Sequence, residues 1–210
     1  MWILPACAAL SLGVCLPLFL RYKQVRLPLA VAFKALGTLC ALVPALIAAL
    51  RLDSVYWFFT AAVFLHTIGD ILLEYWFTAG MGSFLLGHVC YLFAFLKLFP
   101  LTSAHLILLV CFLAGVAWLF YRHRNLLGKS IVPFAVYGAV LCIMVSCGIS
   151  GGASVYSWKG IMIAVGSALF FFSDYLILRR LLYPSLPRMD IQILFTYYLA
   201  QLLLGGSCLL

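Results

Sequence analysis

Acidic residues are scarce in this chain: five aspartates and glutamates in 210 residues, against thirteen lysines and arginines. Charged side chains make up 9% of the sequence and hydrophobic ones 67%, whereas soluble domains average about 25% charged and about 45–50% apolar. That imbalance excludes an ordinary soluble domain, and no stretch is polar enough to form an extramembrane one. There is no CxxC. The eight cysteines fall singly within apolar runs, where they read as small packing residues rather than disulfide partners or zinc ligands. No Gly-x-Ser-x-Gly elbow, Cys–His pair or phosphate-binding loop is present, which disfavours serine or thiol hydrolysis. His66, Asp70, Glu74 and His88 lack a metal-site signature such as H-E-x-x-H, so neither a metal nor a cofactor is expected. The net charge of +8 is not gathered into a basic patch with interleaved aromatics. It is distributed between apolar runs, as membrane topology requires, so nucleic acid is not an expected partner.

What the chain has is apolar length. A spanning helix needs about 20 residues. Breaking the runs at charges and Gly/Ser/Pro clusters predicts eight helices, at about 2–20, 28–50, 55–77, 84–101, 104–121, 130–149, 160–178 and 191–210. The fold class is therefore all-α, a polytopic transmembrane bundle forming one domain over residues 1–210. The first apolar run has no basic segment before it and is followed by Arg21, Lys23 and Arg26, which predicts a retained helix rather than a cleaved signal. The first, fifth and seventh loops carry Arg21, Lys23, Arg26, Arg122, Arg124, Lys129, Arg179, Arg180 and Arg188, and the even loops only Arg51 and Lys159. The positive-inside rule then puts odd loops in the cytoplasm and both termini on the other side. The third loop, TAGMGS, has no basic residue and takes its side from its neighbours. The expected location is a bacterial cytoplasmic membrane, or the endoplasmic reticulum in a eukaryote.

Two of the five acids, Asp70 and Asp174, lie inside spanning runs. An ionisable group at membrane depth costs about 2.5–3.5 kcal/mol on insertion scales, so it calls for a partner or a task. At 1.5 Å per residue, Asp70 lies about 10 Å and Asp174 about 7–8 Å from the cytoplasmic ends of their helices. Lys34, His88 and Tyr197 come out about 6–9 Å deep in the same leaflet, and Gln201 about 15 Å. One polar site explains that coincidence. His66, Asp70 and Glu74, spaced four apart, share a helical face. Asp174 follows Phe170, Phe171 and Phe172 and precedes Tyr175, so its medium is dry. Two carboxyls in unlike environments can divide the roles of acid and base; alternatively Asp70 is simply ion-paired with Lys34. The matching places of Asp70 and Asp174, four helices apart, would also suit a parallel four-plus-four duplication, although the flanking residues match poorly.

HTIGDILLE, FLLGHVCYLFAF, FFFSDYLIL and FTYYLAQLLL, in that order over roughly residues 30–205, resemble the YhhN family of membrane proteins, the lysoplasmalogenases. The resemblance places the family's acidic positions at Asp70, Glu74 and Asp174, its Gly-His element at Gly87-His88, and its Tyr-Tyr-x-x-Gln element at Tyr197, Tyr198 and Gln201. It implies hydrolysis of the vinyl-ether bond of a lysoplasmalogen, a lysophospholipid, by water. The products are a fatty aldehyde and a glycerophospho-base. Asp70 and Asp174 are then the catalytic pair with Glu74 in support, and Lys34, His88, Tyr91, Tyr197, Tyr198 and Gln201 bind substrate. The competing reading from another class is a proton-coupled transporter of small solutes or lipids that uses the aspartates as a relay.

Overall fold

A computed structural model describes residues 2–183 and 189–210. Arg188, counted above among the basic loop residues, lies outside the described residues, as does the side chain of Lys129. Eight long helices follow one another: α1 (Ile3–Tyr22), α2 (Leu27–Arg51), α3 (Tyr56–Tyr75), α4 (Phe77–Leu98), α5 (Ser103–Arg122), α6 (Ile131–Ser154), α7 (Trp158–Leu182) and α8 (Met189–Ser207). A single turn at Arg124–Leu127 and a short 3₁₀ segment at Gly128–Ser130 lead into α6. Seven of the eight, all but α8, are long and apolar enough to cross a membrane. Helix α8 is less apolar because it carries Asp190, Gln192, Tyr197, Tyr198 and Gln201. Its long buried face turns the last three of these into protein instead of lipid.

Local chemistry sets the helix starts. Pro28 sits in the first turn of α2, where its missing N–H leaves nothing unpaired. Thr102 and His105 form a reciprocal capping box at α5. The Ser157 hydroxyl accepts the Gly160 amide at 3.1 Å to open α7.

Helices α2, α3, α4, α6, α7 and α8 form a closed ring in which each packs on the next and α8 returns to α2. Helix α1 lies outside against α2, tied by a buried bond from the Ser11 hydroxyl to the Gly37 carbonyl at 2.9 Å. Helix α5 lies outside against α6 and buries only His105 and Phe120. The ring order repeats, since α4 meets α6 as α8 meets α2, and Asp70 and Asp174 lie on corresponding helices of it. The outer helices differ: α1 packs on α8 as well as on α2, whereas α5 packs on α6.

The ends of the helices are held in two sets. Lys23 after α1, Arg180 on α7 and Asp190 on α8 pair at one end, with Lys23 Nζ 2.9 Å from Asp190. Lys159 of α7 donates to the Tyr56 hydroxyl of α3 at the other. Helices α3 and α7 thus run parallel, with their aspartates toward the same end.

Two boundaries differ from the sequence reading for one reason. TAGMGS is not a loop but the first turns of α4, which begins at Phe77 directly after Trp76. Gly80 is why: a Cβ there would stand 2.5 Å from the Leu73 amide nitrogen, so glycine lets the start of α4 lie on the end of α3. Likewise α6 continues through Gly148, Gly151 and Gly152 to Ser154, because these glycines admit Ser167, Phe99 and the Gly160 carbonyl. Glycines that read as breakers are close-approach positions. The longer α4 also places His88 about 16 Å along its helix, deeper than the 6–9 Å expected.

Candidate active site

Each aspartate builds its own network. The buried Asp70 carboxylate accepts at Oδ2 from Thr38 Oγ1 at 2.5 Å and from the Tyr197 hydroxyl at 2.9 Å. Lys34 Nζ lies 3.7 Å from Asp70 Oδ1 and 2.8 Å from Glu74 Oε1, so one buried ammonium serves two carboxylates. The four-residue spacing works on both helices, since Lys34 and Thr38 share a face of α2 as Asp70 and Glu74 share one of α3. His66, one turn deeper, accepts from Gln201 Nε2 at Nδ1 (2.8 Å) and faces the Phe84 carbonyl with Nε2 (3.2 Å). The Nε2–H tautomer satisfies both nitrogens. Tyr91 donates to Gln201 Oε1 at 2.7 Å, and Tyr198 to the Lys34 carbonyl at 2.9 Å.

The second network is smaller. The Tyr137 hydroxyl donates to Asp174 Oδ2 at 2.6 Å, and His88 Nε2 lies 2.9 Å from that hydroxyl and 3.4 Å from Oδ2. Because the Tyr137 proton goes to Asp174, His88 must donate its own to Tyr137, which leaves Nδ1 as the bare nitrogen. Nδ1 of His88 and Oδ1 of Asp174 are buried with no hydrogen-bond partner. A buried polar atom without a partner costs about 1–3 kcal/mol. Ser167 Oγ is a third such atom among the described residues.

Asp70 and Asp174 share no hydrogen bond. The networks meet through rings, with Phe170 5.6 Å from Tyr197 and 4.9 Å from His88, both edge to face. The two aspartates therefore lie in two adjacent half-sites joined by an aromatic bridge.

Two cavities match the half-sites. One, of about 80 Å³, has Lys34, Asp70, Glu74 and Tyr197 in its wall, with Lys23, Arg180 and Asp190 also lining it. The other, of about 90 Å³, is almost wholly apolar, with the buried Asp174 and the half-buried Tyr137 in its wall. Leu73, Phe77, Phe84 and Ile177 line both. A cation-bearing cavity beside an apolar one suits a molecule with a polar head and a single chain.

Of the residues expected to bind substrate, Lys34 and Tyr197 line a cavity. His88, Tyr91, Tyr198 and Gln201 are buried, bonded to other protein groups, and line neither cavity. Thr38 and Tyr137 were missed. Thr38 was findable, one turn from Lys34. Tyr137 resembled any aromatic near a helix end. Among the described residues, no three His, Cys, Asp or Glu side chains converge as a metal requires.

Close packing sets the position of His66. A Cβ at Gly87 would overlap the His66 imidazole. Gly87→Ala is expected to destabilise by about 1–3 kcal/mol through overpacking and to lower the midpoint of denaturation in detergent, whereas Gly82→Ala, which meets open space, leaves it unchanged.

The sequence matches the YhhN family over residues 29–208. It is 33% identical over 156 residues to the rat (Rattus norvegicus) lysoplasmalogenase TMEM86B, covering 73% of this chain and 62% of that protein. It is 32% identical over 133 residues to the human (Homo sapiens) lysoplasmalogenase TMEM86B, covering 63% and 54%. The chain thus spans between about half and two thirds of the length of these curated relatives. No solved structure matches. With the family's pattern running through α2 to α8, the helices that carry both half-sites, this chain belongs to the YhhN family.

Proposed function

We propose that this chain is a membrane-embedded hydrolase that cleaves the vinyl-ether bond of a lysoplasmalogen, with Asp70 and Asp174 as its catalytic carboxylates. The observation that carries this reading is the pair of adjoining cavities, one charged and one apolar, with a buried carboxylate in each. In this reading the alkenyl chain enters from the side of the apolar cavity and the glycerophospho end lies beside Lys34, which brings the ether linkage near the shared wall.

Vinyl ethers hydrolyse by protonation at carbon. A carboxyl transfers its proton to the alkenyl carbon β to oxygen, which leaves an oxocarbenium ion. Water adds to the α-carbon and returns a proton to a carboxylate. The hemiacetal then breaks its bond to the glycerol oxygen, which takes a proton, and aldehyde is released. One water is consumed and the catalyst is unchanged. Asp70 has donors or a cation at both oxygens and is assigned the counter-charge to the oxocarbenium ion, as in glycoside hydrolysis. Asp174 keeps one oxygen without a protein partner and is assigned proton delivery. Tyr137 and His88 hold it in place, and Glu74 shares Lys34 with Asp70.

The membership of the family and the names of the relatives support the substrate class. Helices α3 and α7 carry no internal proline at their aspartates, whereas transport sites are usually built on broken helices. The test is release of fatty aldehyde from a purified lysoplasmalogen by the purified protein in detergent. No gradient exists there, so a proton-coupled transporter gives no product, and absence of aldehyde from wild-type protein would sink the proposal.

A further inference from the structure

The outer helix α5 touches α7 through Phe112 and Phe171, whose rings lie 4.7 Å apart. Toward their C-terminal ends the two helices part around a cleft of about 540 Å³, lined by Trp118, Arg122, His123, Tyr175, Arg179 and Tyr183. The catalytic reading uses none of these side chains. The cleft is not isolated, because Leu119 and Tyr175 also line the apolar cavity that contains Asp174.

The charge of this cleft is uncompensated. The chain has five acidic residues, and each is placed elsewhere. Asp70 and Glu74 face Lys34, Asp174 faces Tyr137 and His88, and Asp190 faces Lys23 and Arg180. Asp53 accepts the Val55 amide at the start of α3, at the other end of the bundle. Among the described residues, Arg122 and Arg179 therefore have no acidic partner. The C-termini of α5 and α7 contribute negative charge there, but only about half a unit each. Two guanidiniums outweigh that and leave a net positive cleft. Guanidinium is the side chain whose forked donors fit a phosphate, and the surrounding Trp and Tyr rings are those that settle at a headgroup level.

We propose that this cleft holds the phosphate of a lysophospholipid between Arg122 and Arg179, with the lipid's single chain passing Leu119 and Tyr175 into the apolar cavity. The cleft is a second phosphate seat, across α7 from the one at Lys34, and it gives lipid a lateral way in beneath the loosely held α5. The choice of a single-chain lipid rests on the proposed function.

The probe is 1-palmitoyl-lysophosphatidylglycerol, an ester lipid with no vinyl ether to cleave, bound at equilibrium to purified full-length protein in detergent. Arg122→Gln/Arg179→Gln is expected to weaken binding at least fivefold more than the charge-matched control Arg21→Gln/Arg26→Gln. A smaller difference, or no binding by wild-type protein, overturns the proposal in favour of diffuse attraction to basic loops. Inorganic phosphate is expected not to displace the lipid at comparable concentration. Equal competition would make the ligand a free phosphate and overturn the lipid assignment. In wild-type protein, the same lipid carrying a diazirine in its tail should label peptides of α5 and α7, and labelling confined to other helices also overturns it. Because the probe is not a substrate, failure here is seen in binding alone, whereas failure of the hydrolase reading is seen as wild-type protein that releases no aldehyde.

Discussion

Replacing Asp174 by asparagine is expected to lower kcat for aldehyde release by about 10²- to 10⁴-fold, the range that a positioned general acid supplies. The substitution keeps the shape of the side chain, and the Tyr137 hydroxyl, now 2.6 Å from Asp174 Oδ2, can still donate to an amide oxygen. The fold should survive, and what is lost is a proton that can be given to carbon. Tyr137→Phe should act differently. It leaves the acid in place but removes the bridge to His88, so it should lower kcat by a smaller factor with KM little changed. Kinetics on purified variants with matched circular dichroism decide the point. Turnover by Asp174→Asn within threefold of wild type would remove Asp174 from the mechanism.

Asp70, Asp174 and Lys34 were legible in the sequence because the medium makes them anomalous. An ionisable side chain in an apolar run stands out against a background of 67% hydrophobic residues. The eight helices were legible for the related reason that a bilayer admits few alternatives to a spanning helix. Their ends were harder. Gly80 and Gly151 look like loop residues in a soluble protein, but between packed helices the absent side chain is itself the contact. Partner choice was not legible either. The interval from Asp174 back to Tyr137 is 37 residues, and from Tyr197 back to Asp70 it is 127, so the ring order of the helices had to be known first. That order also explains why two aspartates at equivalent depth do not meet. Because the ring order repeats, each aspartate faces the second helix of its own half and the fourth of the other. Thr38 and Tyr197 take those places for Asp70, and Tyr137 and His88 take them for Asp174.

Lys34→Met is expected to destabilise the protein by about 3 kcal/mol, the low end of what breaking one side of a buried ion pair costs. The ammonium lies between Asp70 and Glu74, at 3.7 Å and 2.8 Å. Glu74 keeps 19% of its side chain exposed and can turn toward water, so it contributes little to the loss. Asp70 cannot, with 2% of its side chain exposed, and its charge would be left with only the Thr38 and Tyr197 hydroxyls. Those two donors are why the expected loss is at the low end. Adding Asp70→Asn to Lys34→Met removes the stranded charge and should recover most of the stability, as measured by denaturation in mixed micelles. A loss below about 1 kcal/mol for Lys34→Met would instead mark an exposed-type pair, and the charged cavity would not be held by this contact. The doubly substituted protein is expected to fold and release no aldehyde. An aspartate whose removal costs activity but not stability, once its cation is gone, is retained for chemistry rather than for holding the helices together.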